Sequence, residues 1–332
     1  MLRPSLLLLA LAVCGRLPAA ETAPLDGRFN REPAVVPVSH QGWTGALRLQ
    51  NESVEVIVVP EVGRVMSFRF RDGDNVFWDD VSLRGKKGDP SGAEWVNFGG
   101  DKTWPSPEAE WKTHTRRENW MPPPGFDGLP GAARREGDAI ILTSPVDPFY
   151  GVRTSRRITL RGADPVMRIE TTYEKVSGAT FPVAIWVITQ LRDPIAVYVP
   201  IPAGSRFPEG HFRFRDTPWP QLTHANGLIK VTRDPAASHK LGSDADRMLW
   251  MGEKVMCLIA TIRVAGVEYP DRGASAEVYT NPDPKTYVEL ETLGPLAPLA
   301  TGQRISETNT YTLLHRTEKN PDAEARRVLQ AK

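Results

Sequence analysis

The sequence predicts an all-β fold, a large antiparallel β-sandwich. Apolar and polar residues alternate with a period of two in many short runs, a pattern typical of strands with one face buried. The 30 Pro and 27 Gly are spread along the 332 residues, as expected for turns between short strands. Good helix formers follow one another only at residues 323–330, so little helix is expected.

Turn signals such as Asp72-Gly73 and Asn226-Gly227 separate the predicted strands. No change in composition marks a linker, and no repeat of about 20–50 residues is visible. We therefore expect one sandwich over residues 26–318 and a C-terminal tail at 319–332. The predicted strands are residues 54–60, 64–70, 139–144, 155–160, 166–175, 183–191, 195–200, 228–232, 255–264, 276–280, 287–292 and 309–315.

The first residues have the pattern of a secretory signal peptide. Arg3 supplies a positive charge, an apolar run follows at residues 6–13, and Ala20 ends a stretch of small residues suited to cleavage. The run is far shorter than the ~20 residues of a membrane span, and a retained anchor is the alternative. We expect residues 1–20 to be removed and the mature protein to be periplasmic or secreted, without a membrane anchor.

The composition and charge of the chain exclude some classes of function. The whole chain has a formal charge of +1, and loss of Arg3 and Arg16 with the signal segment would leave −1. A near-neutral chain has no electrostatic footprint for nucleic acid, so no nucleic-acid partner is expected. Cys257 would be the one remaining cysteine, and its apolar surroundings predict a buried thiol without a disulfide.

The first candidate site is the strand Tyr287-Val288-Glu289-Leu290-Glu291. The aromatic ring and the two carboxylates share one face, while the aliphatic pair shares the other and should point into the core. A flat ring and hydroxyl acceptors are what a sugar site needs. Carboxylates two residues apart on a strand are also close enough to raise one pKa if both are shielded. The alternative is a solvated face with ordinary surface glutamates.

The second candidate is the apolar run at residues 181–190, which we expect to be a central strand. Trp186 and Gln190 share one face of it, and they would offer a stacking platform and a hydroxyl partner. The alternative is a core tryptophan whose N–H group is satisfied inside the protein.

The third candidate lies within residues 84–131, which are rich in Gly, Pro, Trp and charge and show little periodicity. We expect an ordered but irregular segment, because tryptophan is rare in disordered chain. Gly99-Gly100 would let the backbone approach a ligand closely. Charge and stacking surface come from Asp101, Lys102, Glu108, Glu110, Trp104 and Trp111. The alternative is a structural loop packed over the sheet.

The histidines are scattered, and no HxxxH or HxH pair exists, so no transition-metal site is expected. The glycine spacing is wrong for a phosphate loop, and no cofactor is predicted. The absence of Gly-x-Ser-x-Gly leaves an α/β-hydrolase without support.

Three stretches together resemble a known superfamily. The hairpin at residues 54–68, whose first strand ends in Pro60-Glu61-Val62-Gly63-Arg64, resembles the opening of galactose-mutarotase-like domains. Residues 287–291, followed by Gly294-Pro295, resemble their C-terminal strands. Residues 97–104 with Pro107 and Trp111 resemble a bacterial family of that superfamily, the domain of unknown function DUF4380. The resemblance covers nearly all of the mature chain.

This resemblance implies a β-supersandwich with a site for a mono- or oligosaccharide on its concave face. In aldose mutarotases a glutamate takes the proton of the anomeric hydroxyl and a histidine protonates the ring oxygen. Here Phe98 stands at one histidine position, and residues 186–190 contain no histidine for the other. Glu289 or Glu291 remains a candidate base, and Lys102 or His114 a candidate acid.

Three hypotheses follow. The first is an exported carbohydrate-binding protein, with aldose 1-epimerase-like isomerase activity left open. It assigns stacking to Trp104 and Trp186, and hydrogen bonds to Gln190 and Lys102. The second is a non-catalytic interaction or assembly domain that has kept the fold and lost the sugar site. The third is an accessory domain of a polysaccharide lyase or hydrolase.

Overall fold

The computed structural model describes residues 34–89 and 95–330, so the predicted signal segment at residues 1–20 lies outside the described part. The helices are α1 (Trp111–Thr115) and α2 (Pro321–Leu329), and neither is long and apolar enough to cross a bilayer. The strands are β1 Ala34–His40, β2 Trp43–Gln50, β3 Val54–Val59, β4 Arg64–Phe70, β5 Asp101–Ser106, β6 Ala132–Glu136, β7 Ala139–Thr143, β8 Val152–Leu160, β9 Val166–Lys175, β10 Phe181–Arg192, β11 Ala196–Pro200, β12 Phe212–Arg213, β13 Leu222–Ala225, β14 Leu228–Val231, β15 His239–Ser243, β16 Arg247–Met251, β17 Val255–Ala260, β18 Ala276–Thr280, β19 Tyr287–Leu293, β20 Ala297–Leu299 and β21 Arg304–His315.

These strands form two large sheets with antiparallel pairing. The first sheet has 11 strands in the order β1-β2-β3-β4-β5-β10-β19-β18-β15-β12, with β20 paired to β10. The second has 10 strands in the order β13-β14-β11-β16-β17-β21-β9-β8-β7-β6. The predicted all-β antiparallel sandwich is confirmed.

The main core lies between the sheets. Val56, Val288 and Leu290 of the first sheet and Ile169 and Leu313 of the second belong to one cluster of buried apolar side chains. Each buried side chain of this size contributes about 1.5–3 kcal/mol relative to leaving it in water. Because Val288 and Leu290 occupy the core, the alternation along β19 turns its remaining side chains to the outer face of the first sheet.

Cys257 is buried in the same core and is a free thiol, as predicted. Burial raises the pKa of this thiol. The thiol is therefore a packing group rather than a nucleophile.

The prediction of an irregular segment at residues 84–131 is wrong for its centre. Strand β5 lies there and pairs with β10 from Asp101 to Ser106, in the middle of the first sheet. Its apolar signal is weak because Lys102 and Asp101 are buried on opposite faces and Pro105 interrupts the pattern. Proline is tolerated because β4 pairs with β5 only at Val65 opposite Asp101, which leaves much of that edge without ladder bonds.

Helix α2 falls within the predicted C-terminal tail and is packed onto the second sheet. The Asn320 side chain caps it by accepting from the backbone N–H groups of Asp322 and Ala323. Ala325 and Leu329 are buried in a smaller apolar cluster with residues of β11 and β16.

Candidate functional site

Strand β19 brings two carboxylates to the outer face of the first sheet. Its neighbours are β10 on one side and β18 on the other. Glu289 lies opposite Gln190 and Tyr279, and Glu291 lies opposite Glu277 on β18. Directly opposed side chains on one face have Cβ atoms about 4.5–5.5 Å apart, so these strands concentrate polar groups in a small area.

We define the outer cluster as Glu289, Glu291, Glu277, Lys102, Lys240, Gln190 and Trp186. Around Glu289, the Gln190 amide donates Nε2–H to Oε1 at 2.8 Å. The Lys102 Nζ lies 3.8 Å from the same oxygen, which is an ion-pair distance but too long for a hydrogen bond. The amide therefore orients this carboxylate, and the ammonium stands beside it.

Around Glu291, one oxygen accepts from two donors. The indole N–H of Trp186 donates to Oε2 at 2.7 Å, and Lys240 Nζ donates to the same atom at 2.9 Å. Lys240 also lies 2.7 Å from Oε2 of Glu277, and its ammonium stands 4.6 Å from the centroid of the Trp186 ring. The indole N–H is thus satisfied internally, as the core alternative for this tryptophan required.

Several buried polar atoms of the outer cluster have no hydrogen-bond partner among the described residues: Lys102 Nζ, Gln190 Oε1, Glu291 Oε1 and both carboxylate oxygens of Glu277, of which Oε2 lies within ion-pair distance of Lys240. All four side chains are almost completely buried. An unmade hydrogen bond of this kind costs about 1–3 kcal/mol, and more for a charged group, so native proteins keep few of them. Both hydrogen-bond donors and acceptors are therefore left without partners together on this face of the sheet.

Burial sets the protonation of the outer cluster. It lowers the pKa of Lys102 despite the attraction of Glu289, and it raises the pKa of Glu289 despite Lys102. It also raises the pKa of Glu277 well above its ordinary value, with Lys240 opposing the shift. For Lys240 burial is outweighed by Glu277 and Glu291, which raise its pKa. Lys240 therefore stays charged, while Lys102 and Glu289 are both biased towards their neutral forms.

Access to the outer cluster is from one side. The Glu289 side chain is 14% exposed and that of Lys240 20%, whereas those of Lys102 and Glu291 are 1% exposed. Half-buried Tyr279 and exposed Phe214 border this open side, and the Phe214 ring lies 5.0 Å from Lys240 Nζ. Glu289 is therefore more accessible from solvent than Glu291.

Trp104 lies beside the outer cluster but presents little free surface. Its N–H donates to Asp127 at 2.9 Å, and Lys102 Nζ stands 4.8 Å from its ring centroid. Its ring is 5% exposed because other indoles pack around it at centroid distances of 5.3–5.9 Å: Trp95, Trp111, Trp120 and Trp186. It forms a wall behind the lysine rather than an open platform.

Tyr287 is buried on the same face. Its ring packs under Trp78 at 4.6 Å between centroids, and its hydroxyl accepts from the Asn97 amide at 3.3 Å. Trp78 in turn lines a cleft of about 670 Å³ with Arg192 and Trp250. The tyrosine thus supports a wall of this neighbouring cleft and has no open ring face for stacking.

His114 and Glu110 are not brought into the outer cluster. His114 lies on α1 between the rings of Tyr150 and Phe181, at centroid distances of 4.5 and 4.8 Å. Glu110 is exposed, whereas Glu108 accepts from the Trp120 indole at 2.7 Å. Burial raises the pKa of Glu108, and Lys240 and Glu291 act on it electrostatically.

Sequence reasoning missed Lys240 and Glu277. The signal for Glu277 was present in β18, where Glu277 and Tyr279 alternate with Ala276 and Val278 in the same way as the residues of β19. Lys240 carries no comparable signal, since β15 is short and reads His-Lys-Leu-Gly-Ser.

Gly99 and Gly100 serve the fold rather than a ligand. Both have positive φ, 88° and 72°. A Cβ on Gly99 would lie 2.1 Å from the Trp78 carbonyl oxygen, and one on Gly100 would lie 2.5 Å from that of Val65. The close approach anticipated here is made to the protein's own backbone, and it sets the start of β5.

Comparison with known proteins identifies the family. The family model of the domain of unknown function DUF4380 matches residues 45–256, which is more than half of the chain. The chain belongs to this family, as the resemblance at residues 97–104 predicted. None of the curated proteins compared with it is similar in sequence.

Solved structures share the fold at low sequence identity. A provisionally assigned aldose 1-epimerase from Klebsiella pneumoniae has a TM-score of 0.59 at 10% identity, covering 90% of this chain and 86% of that one. A galactose mutarotase-like protein from Lactobacillus casei has 0.55 at 10%, covering 81% and 100%. A further provisionally assigned aldose 1-epimerase, from Escherichia coli, has 0.54 at 13%, covering 86% and 100%. The fold is that of the galactose-mutarotase-like proteins.

Proposed function

We propose that this DUF4380 protein binds a neutral sugar at the outer cluster and interconverts its anomers, with Glu289 as the base. The observation that carries the proposal is the set of unpaired polar atoms around this one accessible carboxylate. Similarity of fold to proteins described as aldose 1-epimerases supports the same reading.

The donors and acceptors of the outer cluster suit a polyol. Lys102 Nζ is a free donor, while Gln190 Oε1 and Glu291 Oε1 are free acceptors, and sugar hydroxyls can pair with both kinds. Three carboxylates face two lysines, so the outer cluster has no excess of positive charge to attract an anionic sugar. A neutral aldose is the ligand class that this balance favours.

The chemistry assigned to Glu289 is proton transfer. Its carboxylate takes the proton from the anomeric hydroxyl as the C1–O1 bond becomes a carbonyl and the bond from C1 to the ring oxygen breaks. Rotation about C1–C2 and the reverse steps give the other anomer. Glu291 is less suited to this role, because its Oε2 already accepts from Trp186 and Lys240.

The acid in the proposed reaction is Lys102, which gives its proton to the ring oxygen as the ring opens. A lysine with a lowered pKa parts with a proton more readily than an ordinary one. His114, the other candidate, lies among the rings of Tyr150 and Phe181. The reaction returns both protons when the ring closes, so no co-reactant is needed.

The test uses exchange NMR of α and β anomers with a panel of aldoses. Wild-type protein should speed the exchange of at least one aldose, and Glu289→Gln should slow this by about 100-fold or more without changing the unfolding midpoint. Glu136→Gln, an exposed site on the second sheet, is the matched control. No acceleration for any aldose by folded wild-type protein would contradict the catalytic proposal.

A binding role without catalysis is the second candidate. One observation favours it: among the residues that the structure describes, no histidine belongs to the outer cluster. Isothermal titration against the same aldoses separates the two cases. Heat of binding without anomer exchange would support a non-catalytic carbohydrate-binding or assembly role.

Export remains part of the proposal. Arg3, the apolar run at residues 6–13 and Ala20 support it. We therefore expect the protein to be recovered from the periplasm or medium, starting at residue 21. Intact-mass measurement of the fractionated protein checks this. An uncleaved chain found only with the cytoplasm would contradict it.

A further inference from the structure

The end strands of the two sheets approach each other at one edge of the molecule. Strand β12 ends the first sheet and β13 ends the second. His211 immediately precedes β12, and His224 lies on β13. Their rings are 5.1 Å apart between centroids, and Glu209 stands two residues before the first of them. One ligand atom from each of these three side chains lies within 4.8 Å of the others.

The His211 ring is oriented by a hydrogen bond to backbone. Its Nδ1 lies 3.2 Å from the Glu209 carbonyl oxygen. In the tautomer that donates from Nδ1, the Nε2 lone pair is free. Metal-binding histidines commonly use their second ring nitrogen in this way, with a carbonyl or carboxylate fixing the tautomer. The contact thus supplies an outer partner for a ligand, independently of the clustering of the side chains.

The donor set indicates the type of metal. Two imidazoles and one carboxylate suit zinc and neighbouring transition metals, whereas calcium and magnesium prefer oxygen ligands alone. Ligands 2.0–2.1 Å from a tetrahedral zinc ion are roughly 3.3 Å apart. Exposed Glu209 and His224 can turn by the small amount required, while buried His211 is held in place.

We propose that a divalent transition-metal ion, zinc above others, binds Glu209, His211 and His224 and joins the edges of the two sheets. Three protein ligands leave a fourth position for water. No spacing motif in the sequence indicates this site, because His211 lies just before β12 and His224 lies on β13. It is distinct from the outer cluster and does not depend on the proposed sugar chemistry.

A metal ion that joins the two sheet edges would also affect how a ligand reaches the outer cluster. Strand β12 pairs with β15, the strand that carries Lys240, and Phe214 just beyond β12 lies 5.0 Å from the Lys240 ammonium. The Ser243 hydroxyl of β15 donates to the Gly210 carbonyl at 2.8 Å, next to His211. A bound metal would therefore fix the strand that borders the open side of the outer cluster.

The test uses the mature protein without a polyhistidine tag, freed of metal by dialysis against a chelator. Titration with zinc chloride should give one equivalent bound, and cobalt should give the absorption bands of a tetrahedral or five-coordinate site. His224→Ala and Glu209→Gln change exposed side chains and should weaken zinc binding by about 10-fold or more. His211→Ala should abolish it.

His315→Ala is the matched control, because His315 is an exposed histidine that stacks on Phe70 outside the proposed site. It should bind zinc as wild type does. Zinc should raise the unfolding midpoint of wild type and of this control but not of His224→Ala. If His211→Ala does not fold, the His224→Ala result decides. Absence of binding at one equivalent, or equal binding by His224→Ala, would overturn the proposal.

Discussion

Two buried polar clusters lie on opposite faces of strand β5. They differ in how many of their polar atoms have hydrogen-bond partners. The inner cluster, between the sheets, is centred on Asp101, which accepts from Arg156, from Thr189 at 2.7 Å and from Tyr311 at 2.6 Å. The outer cluster contains the next residue, Lys102, whose ammonium has no hydrogen-bond acceptor in the described part of the chain. Neighbouring residues in sequence therefore serve opposite purposes.

This difference distinguishes a buried charge that stabilises the fold from one that remains available for another role. A fully paired network in the core fixes one arrangement and is costly to break. An incompletely paired network lowers stability, and under the proposed function it is where a ligand supplies the missing partners. Substitutions of Asp101 and Lys102 should therefore have opposite effects.

The largest effect is expected at the inner cluster. Asp101→Asn keeps the shape of the side chain but leaves the Arg156 guanidinium as an uncompensated buried charge. We expect a loss of about 3–5 kcal/mol in the free energy of unfolding, measured by urea denaturation. Adding Arg156→Met should recover part of this loss. A single variant within about 1 kcal/mol of wild type would show that the inner cluster does not hold the sheets together.

At the outer cluster, Lys102→Met should do the reverse. Removing a buried ammonium without hydrogen-bond acceptors should leave the free energy of unfolding unchanged or raise it by about 1 kcal/mol. Unlike Arg156, the remaining partner Glu289 keeps the Gln190 donor and is partly exposed. Anomer exchange should fall by about 100-fold, since the proposed acid is gone. Exposed Lys112→Met is the control and should alter neither quantity. A loss of more than about 2 kcal/mol would make Lys102 a structural residue.

The pH profile of anomer exchange sharpens the assignment of roles. The active form has Glu289 ionised and Lys102 protonated. Burial raises the pKa of Glu289 above 4.5 and lowers that of Lys102 below 10.5. Activity should rise as the pH passes the pKa of Glu289 and fall as it passes the pKa of Lys102. The pH range of high activity should therefore be narrower than ordinary side chains would give. Its apparent pKa values belong to the pair. A profile lacking either limb would contradict the two-residue mechanism.

The smallest effect is expected from Trp186→Phe. This change keeps an aromatic ring but removes the N–H that donates to Glu291 at 2.7 Å. The lost bond should lower the free energy of unfolding by about 1 kcal/mol. Because it leaves Glu291 less firmly held, we expect sugar binding to weaken by no more than about 5-fold in isothermal titration. Trp43→Phe removes a comparable bond, to the Lys86 carbonyl, and should leave affinity unchanged. Equal loss in both variants would point to a general effect on folding.

The sequence predicts the fold and part of the outer cluster through alternation. Period two in β19 places Glu289 and Glu291 on one face, and the same rule in β10 places Trp186 and Gln190 on one face. These side chains meet because the two strands are neighbours, with Gln190 opposite Glu289. Alternation predicts which side chains share a face of a strand, but it does not predict which strands are neighbours.

The remainder depends on strand order, which one sequence does not reveal. Lys240 reaches Glu291 only because β15 and β19 flank β18. His211 and His224 meet only because two sheet edges approach each other. The sequence predicts open ring faces for Tyr287 and Trp104, but Trp78 and the other indoles cover them. Short-range patterns do not report what packs on top of a strand.

The position of β5 has a further consequence for how this protein can vary. Moving β5 by one residue against β10 would exchange its two faces, sending Lys102 into the core and Asp101 outward. Such a chain would lose its central ion pair and the outer cluster in a single step. A change that shifts the register of β5 should therefore destabilise the core and disrupt the outer cluster together, whereas a substitution at the present register can alter one face alone.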